Sequence, residues 1–175
     1  SSSLTGPLAS GKDATEGGAK YNSTALSLLG AATVIDSLYS IKQLVFDTQK
    51  LTLGQFVTIL DENYEQDAVL RQYILHKIPK HGTNDPALNA FSAAFLEDLS
   101  SLAGQTNARG GKYLPAFYPH YTFQVLGQKT GATPDGRHDG DVLAHGINPQ
   151  AGVSKRGLIP MANSASSADM RRFQG

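Results

Sequence analysis

Cysteine is absent from all 175 residues, which excludes disulfides, thiolate metal ligands and a cysteine nucleophile within them. A charge excess of either sign is also missing. Lys and Arg together number 15, as do Asp and Glu, so no net field favours nucleic acid or an anionic membrane. There is no long hydrophobic run either: Ala25 to Ile35 is interrupted by Ser27, Gly30 and Thr33 and closed by Asp36, short of the roughly 20 apolar residues of a membrane span. The opening Ser1-Ser2-Ser3-Leu4-Thr5-Gly6-Pro7 carries neither the basic nor the apolar region of a secretory signal. Phosphate-cradle spacings of the Walker and Gly-x-Gly-x-x-Gly kinds are missing, and no internal repeat is evident. These absences describe a soluble chain without nucleic-acid or membrane partners.

What is present reads as helices followed by a strand and long loops. Residues 1–22 form an irregular entry segment rich in Ser and Gly, 23–104 a helical part, and 105–175 a strand with loops. Asn22 or Ser23 is positioned to cap a long helix from Thr24 to Asp47, apolar nearly all round in its first half. A second helix starts at the capping box Thr52-Leu53-Gly54-Gln55, with Leu53, Phe56, Val57 and Leu60 at helical spacing. Asp67 is placed to cap a third, with Val69, Leu70, Tyr73 and Ile74 as its stripe. Asp85-Pro86 announces a fourth, carrying Leu88, Phe91, Ala94, Phe95 and Leu99 as far as Gly104. Tyr113 to Leu126 reads as a strand, with Pro115 and Pro119 at its mouth or on an unpaired side. A short strand is expected at Leu158 to Ala162. One strand among four helices, with loops longer than about 15 residues, suits part of a larger α/β structure better than a closed domain.

Thr133-Pro134-Asp135-Gly136 is a turn with a mechanism: Pro134 pre-sets φ, Asp135 bonds its own backbone and Gly136 accepts φ > 0. Arg137 follows with five donors that can tie neighbouring carbonyls into a scaffold. The cluster Asp135, His138, Asp139 and Asp141 invites a metal reading. It lacks the later ligands and closing glutamate of a calcium loop, so no metal site is assigned. Gly17 and Gly18 are read as close backbone packing, and Asp36, His76, His81 and His145 as structural.

Thr130-Gly131-Ala132-Thr133-Pro134-Asp135-Gly136-Arg137, with Asp141-Val142-Leu143-Ala144-His145-Gly146-Ile147-Asn148-Pro149, resembles the glycyl radical enzymes, the pyruvate formate-lyase-like family. A second block agrees in the same order: Glu16-Gly17-Gly18-Ala19-Lys20-Tyr21-Asn22, then Ala32 to Lys42 and Val45-Phe46. The resemblance covers about Ser10 to Pro160. It implies an internal portion of the C-terminal half of such an enzyme and part of its ten-stranded α/β barrel, a helix-rich segment with few strands and long loops. Gly17, Gly18, Asn22, Pro134, Asp135, Gly136 and Arg137 are then structural motif residues.

For activity, the resemblance implies radical lyase or dehydratase chemistry on a small organic substrate, in an anaerobic, cytoplasmic homodimer. The glycyl radical of the complete enzyme is installed by an S-adenosylmethionine and iron-sulfur activating enzyme. Neither the thiyl cysteine nor a glycyl radical loop occurs among these residues, so the chain is expected to carry no catalytic residue and no cofactor. It contributes wall and pocket, and its partners are the remaining polypeptide, the activating enzyme and the substrate. Tyr113, Leu114, Phe117 and His120 at the strand mouth are the candidate substrate contacts. Many members have Arg-Pro there to bind an anionic group. Leu114-Pro115 stands in its place, which argues for a less polar substrate. Lys80-His81-Gly82-Thr83-Asn84-Asp85-Pro86 departs from the family's Lys-Tyr-Gly-Asn-Asp segment by His81 and the added Thr83. The alternative is a non-catalytic structural or split subunit with the same barrel-half fold.

Overall fold

A computed structural model describes residues 3–105, 109–117, 121–153 and 157–173. A one-turn helix α1 (Pro7–Ser10) and a 3-10 turn at Ala14–Glu16 lead into strand β1 (Ser23–Leu28). Helix α2 (Ala31–Ile41) runs on into a π-helical turn at Lys42–Asp47. The expected single helix from Thr24 to Asp47 is therefore a strand, a break and a helix. Gly30, at φ +71°, makes the break, a conformation glycine adopts without steric penalty. Asn22 caps no helix; its Nδ2 donates instead to the carbonyls of Gly17 (3.3 Å) and Ala19 (2.7 Å).

The next three helices start at the expected residues. In α3 (Leu53–Asp61) the Thr52 and Gln55 capping box is fully formed, and in α5 (Pro86–Ala103) the Asp85 carboxylate accepts from the Leu88 amide. Asp67 precedes α4 (Ala68–Lys77) but makes no side-chain capping bond. The inward faces are narrower than expected. Only Phe56 of α3 and Ile74 of α4 are fully buried, while Val69 is 86% exposed. On α5 the buried line is Leu88, Ser92, Leu96, Ser100 and Ala103, whose serines let the helix approach closely. Ala94 points outward and Phe91 packs sideways on Tyr39 of α2, ring centroids 5.5 Å apart.

Strand β2 (Lys112–Phe117) pairs parallel with β1, Ser23 opposite Lys112 through Leu28 opposite Phe117. The expected strand to Leu126 ends at Phe117, and Thr122–Gly127 is helix α6. The Tyr113 amide donates to the Gln105 carbonyl (2.9 Å), so it faces away from β1. Two residues on, the missing N–H of Pro115 lies on that same side and costs the ladder nothing. The expected strand at Leu158 to Ala162 is helix α7 (Leu158–Ala165), followed by a 3-10 turn at Met170–Arg172. Leu28 and Phe117 face the helical core with Ile35, Leu44 and Leu96. By strand alternation Ser23, Ala25, Ser27, Leu114 and Ala116 face the other way.

The entry segment packs backbone on backbone where glycines permit it. A Cβ on Gly18 would strike the Lys12 carbonyl, and one on Gly111 would overlap that of Asn22. Gly54, by contrast, has open space around it. Gly18→Ala is expected to destabilise the complete protein by about 1–3 kcal/mol, the usual range for overpacking. Gly54→Ala is expected to stabilise it slightly, by up to about 1 kcal/mol. Urea unfolding midpoints that move in the same direction for both variants would contradict this packing.

Candidate functional site

The turn closes as its sequence dictates. The Gly136 amide donates to the Thr133 carbonyl and the Thr133 amide to the Arg137 carbonyl, each at 3.0 Å. Gly136 sits at φ +95° with Leu75 and Ile74 where a side chain would go. Asp135 Oδ1 accepts from Thr133 Oγ1 (2.5 Å) and from the Arg137 amide (3.3 Å). Arg137 is buried and its donors fan out over the loop. Nη2 reaches the carbonyls of Thr130 (2.9 Å) and Gly131, Nη1 that of Asp141 (2.5 Å), and Nε the Thr133 hydroxyl (3.2 Å). A planar fork with fixed donor directions is suited to holding several carbonyls at once.

Four side chains from outside the loop, none assigned this role from the sequence, lock this turn to the helical part. The Tyr64 hydroxyl donates to the Thr133 carbonyl (2.7 Å), Arg71 Nε to that of Gly136 (2.8 Å) and Lys80 Nζ to that of Asp135 (2.9 Å). Asn63 Oδ1 accepts from the Asp139 amide (2.8 Å) and lies 3.1 Å from His138 Nδ1. Asn63 and Tyr64 hold this position at φ +52° and +62°, a left-handed conformation that costs a non-glycine residue about 1–2 kcal/mol. Asn at such a bend is a readable signal. Nothing in the local pattern announces the distant carbonyl that Tyr64 meets.

Beneath the turn lies Asp36 of α2, fully buried. Its Oδ1 accepts from the His81 amide (2.7 Å), and its Oδ2 has no partner. Burial pushes this carboxyl up to about 7, against the pull of the Lys80 ammonium. Burial likewise lowers Lys80, opposed by Asp36 and then Asp135. Burial lowers His81 too, whose Nε2 is 3.1 Å from the Ile147 carbonyl and so carries the proton there. Burial, then Asp135, raises the Tyr64 phenol. Asp135 and Asp141 spend their carboxylates on the loop itself, Asp141 Oδ2 accepting from the His138 amide, while the His138 ring meets Asn63. Among the described residues no group of three His, Asp or Glu is arranged to hold a metal.

The strand-mouth residues do not share a face. Tyr113 and Phe117 project to the helical side, where Phe117 stacks on Phe173 with centroids 4.8 Å apart, whereas Leu114 projects to the opposite side. His120 lies outside the described residues. Gly17, at φ +85°, and Asn22 lie against 109–111, while Gly18 packs on the Lys12 backbone.

Two parallel strands joined through a helical layer, with a glycine-containing turn locked to it, have the connectivity of an α/β fold. The family model described as pyruvate formate lyase-like matches residues 1–127. The trans-4-hydroxy-L-proline dehydratase of Clostridioides difficile is 30% identical over 160 residues, 91% of this chain and 20% of that protein. The glycerol-bound B12-independent glycerol dehydratase from Clostridium butyricum superposes with TM-score 0.91 at 30% identity, over 98% of this chain and 22% of the other. A glycyl radical enzyme from Archaeoglobus fulgidus gives TM-score 0.88 at 29% identity, over 97% and 22%. The chain belongs to the pyruvate formate lyase-like family of glycyl radical enzymes. Its fold is part of their ten-stranded α/β barrel. It spans about a fifth of the length of the relatives it matches.

Two predictions come from the turn and its support. Asp36 binds its proton more tightly folded, near pH 7, than at the ordinary value of 3.8. The folded state therefore holds more protons between these values, and the stability Asp36 contributes falls as pH rises through that window. Asp36→Asn is expected to gain stability relative to the parent from pH 4 to pH 7 and to keep that gain above it. A difference in unfolding midpoint that is flat with pH would contradict the assignment. Arg137→Lys loses the fork geometry and with it hydrogen bonds to part-buried carbonyls, each worth about 0.5–1.5 kcal/mol. Differential scanning calorimetry should show a clear loss, and an unchanged midpoint would remove Arg137 from its clamping role.

Proposed function

We propose that these residues are one wall of a larger glycyl radical dehydratase or lyase, and that its thiyl and glycyl groups lie elsewhere in the same polypeptide. The single strongest support is the superposition on the glycerol dehydratase along nearly the whole chain at TM-score 0.91. The absence of cysteine means the hydrogen-abstracting thiol has to come from other residues. The exposed residues of β1, Ser23, Leu26 and Ser27, contrast with the buried end of β2. A parallel sheet is normally covered on both faces and continued at its edges, so a neighbour beside β1 fits this reading.

Within that enzyme, substrate approaches the half-buried Leu114 end of the sheet face opposite the helices, since Ala116 on the same face is fully buried. Leu114, on that face, is our candidate pocket residue, and His120 at the strand mouth remains a candidate contact. Phe117 contributes by holding the strand against the helical core, and Tyr113 remains a candidate contact. A leucine brings no cation to an anionic substrate, so a neutral hydroxylated compound such as glycerol fits better than a carboxylate or sulfonate. The complete enzyme is a cytoplasmic, anaerobic homodimer that depends on an S-adenosylmethionine and iron-sulfur activating enzyme. Among the described residues no helix is long and apolar enough to cross a membrane.

Anaerobic activation of the complete polypeptide should give the electron paramagnetic resonance doublet of a glycyl radical, and a silent spectrum after verified activase turnover would overturn the proposal. With the radical intact, Leu114→Arg should lower kcat/KM for glycerol at least 10-fold. An unchanged kcat/KM would remove Leu114 from the pocket.

A further inference from the structure

Between α2, the loop that follows α4 and the turn at 133–137 lies a cavity of about 140 Å³, bounded in part by Asp36, Arg71, Lys80, Asp135, Arg137 and Gln150. Gln150 closes one side of it, lying 3.1 Å from Thr33 Oγ1 and donating to the Val142 carbonyl at 2.7 Å. Two facts about its polar walls do not balance. Asp36 Oδ2 is fully buried and accepts nothing. Lys80 is also buried, yet its ammonium donates to the Asp135 carbonyl rather than to the Asp36 carboxylate. A buried carboxylate oxygen without a donor is costly, and nearly all such atoms in folded proteins find a partner.

The occupant can be argued from size and charge. Apolar cavities stay dry, whereas polar ones take up water, a molecule needing about 10–15 Å³ of space for its centre and two to four polar partners. The available space is more than enough for one such molecule. The walls offer Arg71, Lys80 and Arg137 against Asp36, Asp135 and Asp141, so neither a free cation nor a free anion gains from the balance. A small neutral dipole that both donates and accepts fits both sides. We infer that ordered water fills this cavity and bridges Asp36 Oδ2 to the Lys80 ammonium, joining α2, the segment after α4 and the turn into one hydrogen-bonded unit.

The test is a crystal structure of the complete polypeptide, of the parent and of Asp36→Asn and Asp36→Leu, at a resolution that shows ordered solvent. The parent should hold water within hydrogen-bonding distance of both Asp36 Oδ2 and Lys80 Nζ. Asp36→Asn, which keeps a polar atom in place, should retain it. Asp36→Leu should lose it. A dry cavity in the parent overturns the inference, as does a Lys80 that swings over to touch Asp36 directly, or density with the short, many-oxygen coordination of a metal ion. Because the parent alone decides these outcomes, a leucine variant that fails to fold leaves the test intact.

Discussion

A guanidinium buried among carbonyl oxygens is the constraint on which this chain depends. Arg137 cannot shed its charge, so the loop must keep four acceptors aimed at it, from Thr130, Gly131, Thr133 and Asp141. That requirement fixes the path of the chain from α6 past the turn. The fixed turn then presents its own carbonyls outward, at Thr133, Asp135 and Gly136, and side chains from three other places in the chain bond to them. Helices remote in sequence are thereby held in register by a loop with little regular structure of its own. The arrangement places rigidity in the loop that follows α6.

The turn was legible because its chemistry is local. Pro134, Asp135 and Gly136 each act within a residue or two, and Arg137 follows directly. Helix starts were legible for the same reason, since Thr52 with Gln55 and Asp85 with Pro86 satisfy neighbouring amides. What failed depended on partners far along the chain. Thr24 to Leu28 is a strand only because Lys112 to Phe117 lies beside it, and a short run of small and apolar residues carries no periodicity strong enough to announce that. Phe123 to Leu126 continues the apolar character of β2 yet turns helical in α6. The supports of the turn, Tyr64, Arg71 and Lys80, were invisible because each contact spans 55 to 69 residues. Family resemblance supplied the barrel that local pattern could only suggest as a larger structure.

The strand mouth shows how geometry refines a sequence reading. Four neighbouring residues look like one pocket on paper, but alternation sends Tyr113 and Phe117 to the helices and Leu114 to the other face. Phe117 then has its ring occupied by Phe173. Other residues hold the segment together: the glycines that admit backbone at Lys12 and Asn22, the serine-lined face of α5, and the polar unit around Asp36.

The central claim is that this chain builds a wall around chemistry supplied by other residues of the same molecule. The mass of the native polypeptide, measured by intact-protein mass spectrometry, tests it most directly. The account predicts a product several times longer than 175 residues whose additional peptides contain a cysteine and a C-terminal glycine loop. A natural product of 175 residues would contradict it.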